Sequence, residues 1–329
     1  MLLKLLRPTR FSSRPIINGI SELYPIDVNG SKQWLLARGK SKDLPVLLML
    51  HGGPGFTDMW LSEHCNQELE KHFIVVNWDQ RGSGKSFDKK ADPKLLTVQQ
   101  FVDDAKQVIN HLLEKFGQDK IHLLGQSWGS ILGWKLAKEI PEKLYHYIGV
   151  GQVSNMAESE ERSYQFVLDT ARKDGNKKAV RELEAITMPS PNDGQSPFKP
   201  LMTQRKWLAW YGGMMKGEKK LSAISKHLMS AKEYSFMDML RFNNGMKAST
   251  ENMWHQLLEI NFINEDSKIE IPFTFILGEH DHTVDIKLSK ELFNRTASSN
   301  KQLIILNAAH MPNITCPKEY QEAIFSTIK

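Results

Sequence analysis

The fold turns on ten residues, Ile121-His122-Leu123-Leu124-Gly125-Gln126-Ser127-Trp128-Gly129-Ser130. Ile121 to Leu124 is a short apolar run of the kind that forms a strand buried on both faces. From Ile131 to Ile140 the apolar positions recur at helical spacing. Between them stands Gly-x-Ser-x-Gly, two glycines that give room for a sharp strand-to-helix turn with a serine hydroxyl at its tip. The helix N-terminus behind that serine favours negative charge developing in front of it. A Gly-x-Ser-x-Gly string alone says little; between a buried strand and a helix it says a good deal.

Outward from this turn the same strand signal repeats. Val46–Leu50 and Phe73–Asn77 lie upstream, and Tyr145–Val150, Pro272–Leu277 and Gln302–Leu306 downstream. Residues 98–116 read as a helix, with Phe101, Ala105, Val108, Leu112 and Phe116 on one face and Gly117 as its C-terminal cap. A last helix is expected from about Pro317 to Ile328. Near the start, Pro25–Val28 and Lys32–Arg38 flank Asn29-Gly30, a hairpin signal because both residues tolerate positive φ. Buried strands alternating with helices specify an α/β fold, a mostly parallel sheet covered by helices on both faces.

The strand rhythm stops between about Ser154 and Lys268. That stretch is helical in pattern and holds ten of the 14 methionines. One discontinuous core, 21–153 and 269–329, is therefore expected around an inserted all-helical cap, 154–268. Residues 1–20 form a leader in which Lys4, Arg7, Arg10 and Arg14 stand without an acidic residue. A flexible leader is the simplest reading; organelle targeting or peripheral membrane association is the alternative to a cytoplasmic protein. No apolar run approaches the roughly 20 residues of a membrane span, so stable membrane insertion is not expected. With 40% hydrophobic residues the 329-residue chain is not disordered, and a net charge of +5 is too small to point to nucleic acid. Cys65 and Cys316 are the only cysteines, too few for a disulfide framework.

A nucleophilic serine needs a base, and the base an orienting carboxylate. Asp281 lies just beyond the strand Pro272–Leu277, and His310 just beyond Gln302–Leu306. Both thus fall at the strand ends where Ser127 lies, and there open α/β sheets build their sites. Asp285 is the rival acid and Glu279 a remoter one; Asp281 is nearer the strand end. His51-Gly52-Gly53-Pro54-Gly55 directly follows another strand, and its backbone can offer an N–H to an oxyanion beside that of the residue after the serine. Gly53 and Trp128 are the expected donors, with Gly52 in reserve.

Together, His51–Gly55, Trp78-Asp79-Gln80-Arg81-Gly82-Ser83-Gly84-Lys85-Ser86, Gly125–Ser130, Gly278-Glu279-His280-Asp281 and Ala309-His310 resemble the proline iminopeptidase-like branch of the α/β-hydrolase superfamily. The resemblance covers about residues 21–329. It implies the α/β-hydrolase fold with a helical cap after the sixth strand, Ser127 as nucleophile, Asp281 as acid, His310 as base, and no cofactor or metal. It also implies an amide- or ester-cleaving enzyme acting on a small molecule or short peptide. An aminopeptidase releasing an N-terminal proline or small apolar residue is the first expectation, and a carboxylesterase the second. A non-catalytic ligand-binding homologue is the remaining reading. Epoxide hydrolysis would want a carboxylate where Ser127 stands. Gln126 departs from the glycine that peptidases of this family commonly carry there. Nine glutamates from Glu158 to Glu259 are available to hold a substrate amine, but none sits in a recognisable motif.

Three features invite other readings. Gly82-Ser-Gly-Lys85-Ser86 looks like the end of a phosphate-binding loop, but Asp79 stands where its first glycine belongs. A structural loop, with Arg81 paired to a carboxylate, fits better. His280-Asp281-His282 suggests metal ligands, yet adjacent side chains diverge. His51 reads as a turn-stabilising residue rather than a second base.

Overall fold

A computed structural model describes residues 16–190, 194–217, 228, 231–265 and 268–328. The basic residues of the leader, Lys4 to Arg14, lie outside the described residues. Eight strands form one sheet: β1 Ile20–Val28, β2 Ser31–Gly39, β3 Val46–Leu50, β4 Ile74–Asp79, β5 Ile121–Gln126, β6 Leu144–Val150, β7 Phe273–Gly278 and β8 Lys301–Leu306, in the order 1-2-4-3-5-6-7-8. β1 and β2 pair antiparallel, and β2 pairs antiparallel with β4; every other neighbour is parallel. Asn29 and Gly30 carry φ of 50° and 70° and close the first hairpin. Both of its strands are longer than Pro25–Val28 and Lys32–Arg38, because pairing runs back to Ile20 opposite Gly39.

Eight helices of eight residues or more are seen among the described residues: α1 Val98–Phe116, α2 Trp128–Glu139, α3 Met156–Lys173, α4 Lys177–Glu184, α5 Phe198–Trp210, α6 Phe236–Leu258, α7 Ile286–Arg295 and α8 Pro317–Thr327. In α1 the Thr97 side chain accepts the Gln100 N–H, and Gly117 ends the helix at φ 62°. The uninterrupted apolar strands face two cores. Val46, Leu48 and Leu50 of β3 join a cluster with α1 and α2, while Leu47 and Met49 point to the other face with Tyr320 and Ile324 of α8. α2 begins at Trp128, three residues earlier than its apolar periodicity suggests, because the turn after Ser127 feeds straight into it.

Helices α3 to α6 all fall between β6 and β7. At the base of this stretch the chain closes on itself. Met156 N–H donates to Ile260 carbonyl at 2.9 Å, and Phe262 N–H to Ser154 carbonyl at 2.7 Å. Val167, Ala171, Leu183 and Trp207 give α3, α4 and α5 a small core of their own. No helix among the described residues is long and apolar enough to cross a membrane.

Candidate active site

Ser127 stands at φ 53°, ψ −118°, between β5 and α2. A serine in this region is strained, and the surroundings hold it there. Its N–H donates to the Val150 carbonyl at 2.9 Å, and its own carbonyl accepts from the N–H and the hydroxyl of Ser130. The two flanking glycines are close-approach positions. A Cβ on Gly129 would meet the Leu50 carbonyl oxygen at 2.0 Å, and one on Gly125 the Gly129 oxygen at 2.3 Å.

His310 and Asp281 are both buried, at 7% and 4% exposure. Asp281 Oδ1 accepts the backbone N–H groups of Thr283 and Val284 at 2.8 and 3.0 Å. Its Oδ2 lies 2.8 Å from His310 Nδ1. A carboxylate only accepts, so the proton sits on Nδ1 and leaves Nε2 as the basic nitrogen. Asp285 is placed elsewhere. It caps α7 by accepting from Lys287 and Leu288 N–H, and it pairs with Arg162. Glu279 is exposed and lies 3.8 Å from His280, while the carboxylate bound to His310 is that of Asp281. The three residues of the His-Asp-His string diverge: His282 stacks on Phe166, and His280 meets Asn307. Among the described residues no group of three or more His, Cys, Asp and Glu side chains is placed to hold a metal ion.

His51 is fully buried, and burial pushes its pKa down to about 4, so the ring is neutral. Nδ1–H donates to the Gly52 carbonyl, and Nε2 accepts the Gln80 N–H. The Gln80 side chain in turn accepts the Trp128 indole N–H at 2.8 Å. The loops after β3 and β4 are thereby tied to the start of α2, and Gly52 lies against Ser127. Trp128 is the first residue of its helix, so its N–H has no intrahelical partner.

The loop Asp79–Ser86 is a structural brace. Arg81 forms a buried two-toothed pair with Asp104 at 2.7 and 2.9 Å. Lys85 reaches Asp238 Oδ2 at 3.0 Å and the Glu233 carbonyl at 3.2 Å. Asp79 accepts from the Tyr234 hydroxyl at 2.6 Å and from Lys85 N–H. The phosphate-loop lookalike thus binds the segment leading into α6.

Ser127, His310, Gly53 and Trp128 all line one cavity of about 470 Å³. Phe56, Leu61, Ile131, Met156, Leu201, Met239 and Phe242 make most of its wall apolar. The sequence did not single out four of its polar lining residues. Asn313 donates to Gln126 at 3.2 Å, at the position where the family commonly has glycine. Asp58 accepts from Asn77 at 2.9 Å. Its carboxyl is pushed up to about 7, chiefly by burial, and among the described residues it forms no ion pair. Glu160 pairs with Arg205 at 2.5 Å. Asp58 follows the glycine-rich loop by three residues, a position that could have marked it; Glu160 was one glutamate of nine, and nothing local distinguished it or Arg205.

Residues 45–317 match the family described as alpha/beta hydrolase fold. The chain belongs to the α/β-hydrolase family. It is 30% identical to the probable aminopeptidase YbaC of Bacillus subtilis, over 94% of this chain and 97% of the relative. With the proline iminopeptidase of Flavobacterium johnsoniae it shares 26% identity, over 85% and 88% of the two chains. Two solved structures share the fold: a proline iminopeptidase-related protein from Thermus thermophilus (TM-score 0.64, 20% identity, 94% and 97% covered) and a proline iminopeptidase from Mycobacterium smegmatis (TM-score 0.67, 17% identity, 93% and 97% covered). This α/β-hydrolase falls in the proline iminopeptidase-like branch and is a hydrolytic enzyme.

Proposed function

We propose that this hydrolase cleaves an amide or ester through an acyl-enzyme on Ser127. His310 Nε2 removes the hydroxyl proton as Ser127 Oγ attacks the carbonyl carbon, and the Gly53 and Trp128 N–H groups hold the oxyanion. Asp281 keeps the ring in the right tautomer and stabilises the imidazolium. The imidazolium then gives its proton to the leaving amine or alcohol. Water, deprotonated by the same nitrogen, attacks the acyl-enzyme, and the acid and free serine result. The observation that carries this reading is Ser127 at a positive-φ turn, lining the same cavity as a histidine whose Nδ1 is bound to a buried carboxylate. In this reading residues 21–153 and 269–329 are the catalytic core, 154–268 the cap, and 1–20 a leader on a cytoplasmic protein.

An aminopeptidase acting on short peptides with an N-terminal proline or small apolar residue is the preferred activity. The names of the relatives favour it, as does Asp58, an acid on the wall of an apolar cavity with no basic partner among the described residues. Carboxylesterase activity on small apolar esters is the second reading, favoured by the apolar lining. The test compares the protein and Ser127→Ala on a prolyl arylamide, its N-acylated counterpart and a short-chain aryl ester, with fluorophosphonate labelling beside it. Hydrolysis that needs the free amine supports the aminopeptidase. Equal or better cleavage of the blocked amide and the ester replaces it with the esterase, and failure to label Ser127 in folded protein overturns the serine mechanism.

A further inference from the structure

Glu160 and Arg205 form an ion pair on the cavity wall, and it is incompletely satisfied among the described residues. Glu160 of α3 is 5% exposed; its Oε1 is bound by Arg205 of α5, while Oε2 is buried with no hydrogen-bond partner among the described residues. Arg205 donates from Nη2 to Glu160 and from Nη1 to Gln204 Oε1, and its guanidinium lies 5.9 Å from the Trp254 ring centre. Gln204 is itself held by Ser163, so the fork is fixed in place. Of five guanidinium N–H groups, three have no partner among the described residues. Both residues line the cavity that Ser127 and His310 line. A buried orphaned acceptor calls for a donor, and in a binding cavity a ligand can bring one.

The charges decide what kind of donor. Arg205 already neutralises Glu160, so the pair has no net charge to offer an ammonium group. A second cation would lie close to the guanidinium and be repelled by it. An ammonium would also leave the guanidinium donors unused. A peptide group presents one donor and one acceptor in a plane, which is the complement of a carboxylate oxygen beside a guanidinium.

We propose that Glu160 and Arg205 form a subsite for a second amide group of a peptide substrate, the linkage next to the one cleaved. Its N–H donates to Glu160 Oε2, and its carbonyl accepts from Arg205. The assignment rests on the peptide-cleaving reading above, because with one residue on the acyl side the second amide falls in the leaving group. It makes a short peptide a better ligand than an amino-acyl ester or arylamide.

The test uses full-length Ser127→Ala protein, which binds without turnover. Affinity is measured by calorimetry for prolyl-leucyl-leucinamide and for the analogue in which an ester replaces the linkage between the second and third residues. The peptide is expected to bind about tenfold more tightly or better, since the ester leaves Oε2 without its donor. Adding Glu160→Gln should bring the two ligands within about twofold. Equal affinities for the two ligands in Ser127→Ala overturn the subsite whatever the second variant does, and so does absence of peptide binding. A preference that survives Glu160→Gln in folded protein overturns it too, as does a loss confined to free-amine against N-acylated ligands. Fluorophosphonate labelling of the unaltered protein reads the hydrolase mechanism separately. Labelling without peptide preference sinks the subsite alone, and peptide preference without labelling sinks the serine mechanism alone.

Discussion

The two walls of the cavity are built differently. On the sheet side, each group stands where a strand ends: Ser127 after β5, Asp281 after β7, His310 after β8, and Gly53 after β3. Backbone hydrogen bonds hold Ser127 and Asp281, close glycine contacts line the serine turn, and the Asp281 carboxylate orients His310. On the helical side, Met156 of α3, Leu201 and Met202 of α5, and Phe242, Met246 and Trp254 of α6 make most of the surface by packing, around the paired Glu160 and Arg205. Methionine fills irregular space and tolerates exchange. In the proposed reading bond-breaking belongs to the sheet side and choice of substrate to the helical side, and that division can be attacked from either direction.

The largest effect belongs to the strand ends. Ser127→Ala is expected to lower kcat by about 10⁴-fold or more, with stability little changed. A loss under about tenfold would mean that another group does the chemistry. Next comes Gly129→Ala, which touches no substrate. The new methyl would stand 2.0 Å from the Leu50 carbonyl oxygen, backbone that cannot step aside cheaply. Urea unfolding should show a loss of about 3 kcal/mol. An alanine variant of ordinary stability would show that the turn is not locked as described.

The joint between the walls should respond more mildly. Tyr234→Phe removes the hydroxyl that Asp79 accepts from at 2.6 Å and that also reaches Thr57. Asp79 is buried, and burial pushes its carboxyl up to about 7. Loss of its tyrosine partner should cost about 1–3 kcal/mol in urea unfolding. If it costs nothing, the segment leading into α6 is held by Lys85 and Asp238 alone.

The same contrast explains what could be read from the sequence. The sheet wall was legible because each residue proposed to act there follows an apolar run within a few positions, with a glycine between in the case of Ser127 and Asp281. The places of Ser127, Asp281 and His310 follow from strand order, which the alternation of buried runs reveals. The extra length of β1 is not legible because an edge strand half-exposed along most of its length loses the continuous apolar signal. Most of the helical wall was illegible for a physical reason. Met, Leu and Trp at helical spacing read the same whether they face a core or a cavity. Glu160 and Arg205 lie 45 residues apart and meet only because α3 packs on α5. The pairing of Lys85 with Asp238 bridges 153 residues. No local pattern carries such information.

Asp58 is where the division of labour is most open to attack, because it stands on the sheet side yet would act in selection. Its neighbours in charge are Asp79, Cys65, Tyr234 and Tyr320, none of them basic. Burial raises its carboxyl to about 7 against an ordinary value of 3.8, so the folded protein keeps the proton to higher pH. Below about 7 the group is neutral and offers an ammonium little; above it the carboxylate attracts one. The ratio of kcat/KM for a free-amine substrate over its N-acylated counterpart should therefore rise as pH passes through about 7. It should fall again only when the substrate amine itself loses its proton, near pH 8. Taking the ratio cancels whatever pH dependence the two substrates share. In Asp58→Asn the rising limb should vanish and the ratio at pH 7.5 should drop about tenfold. A ratio flat with pH in the unaltered protein would leave Asp58 with a structural part only, and selection would return entirely to the helical wall.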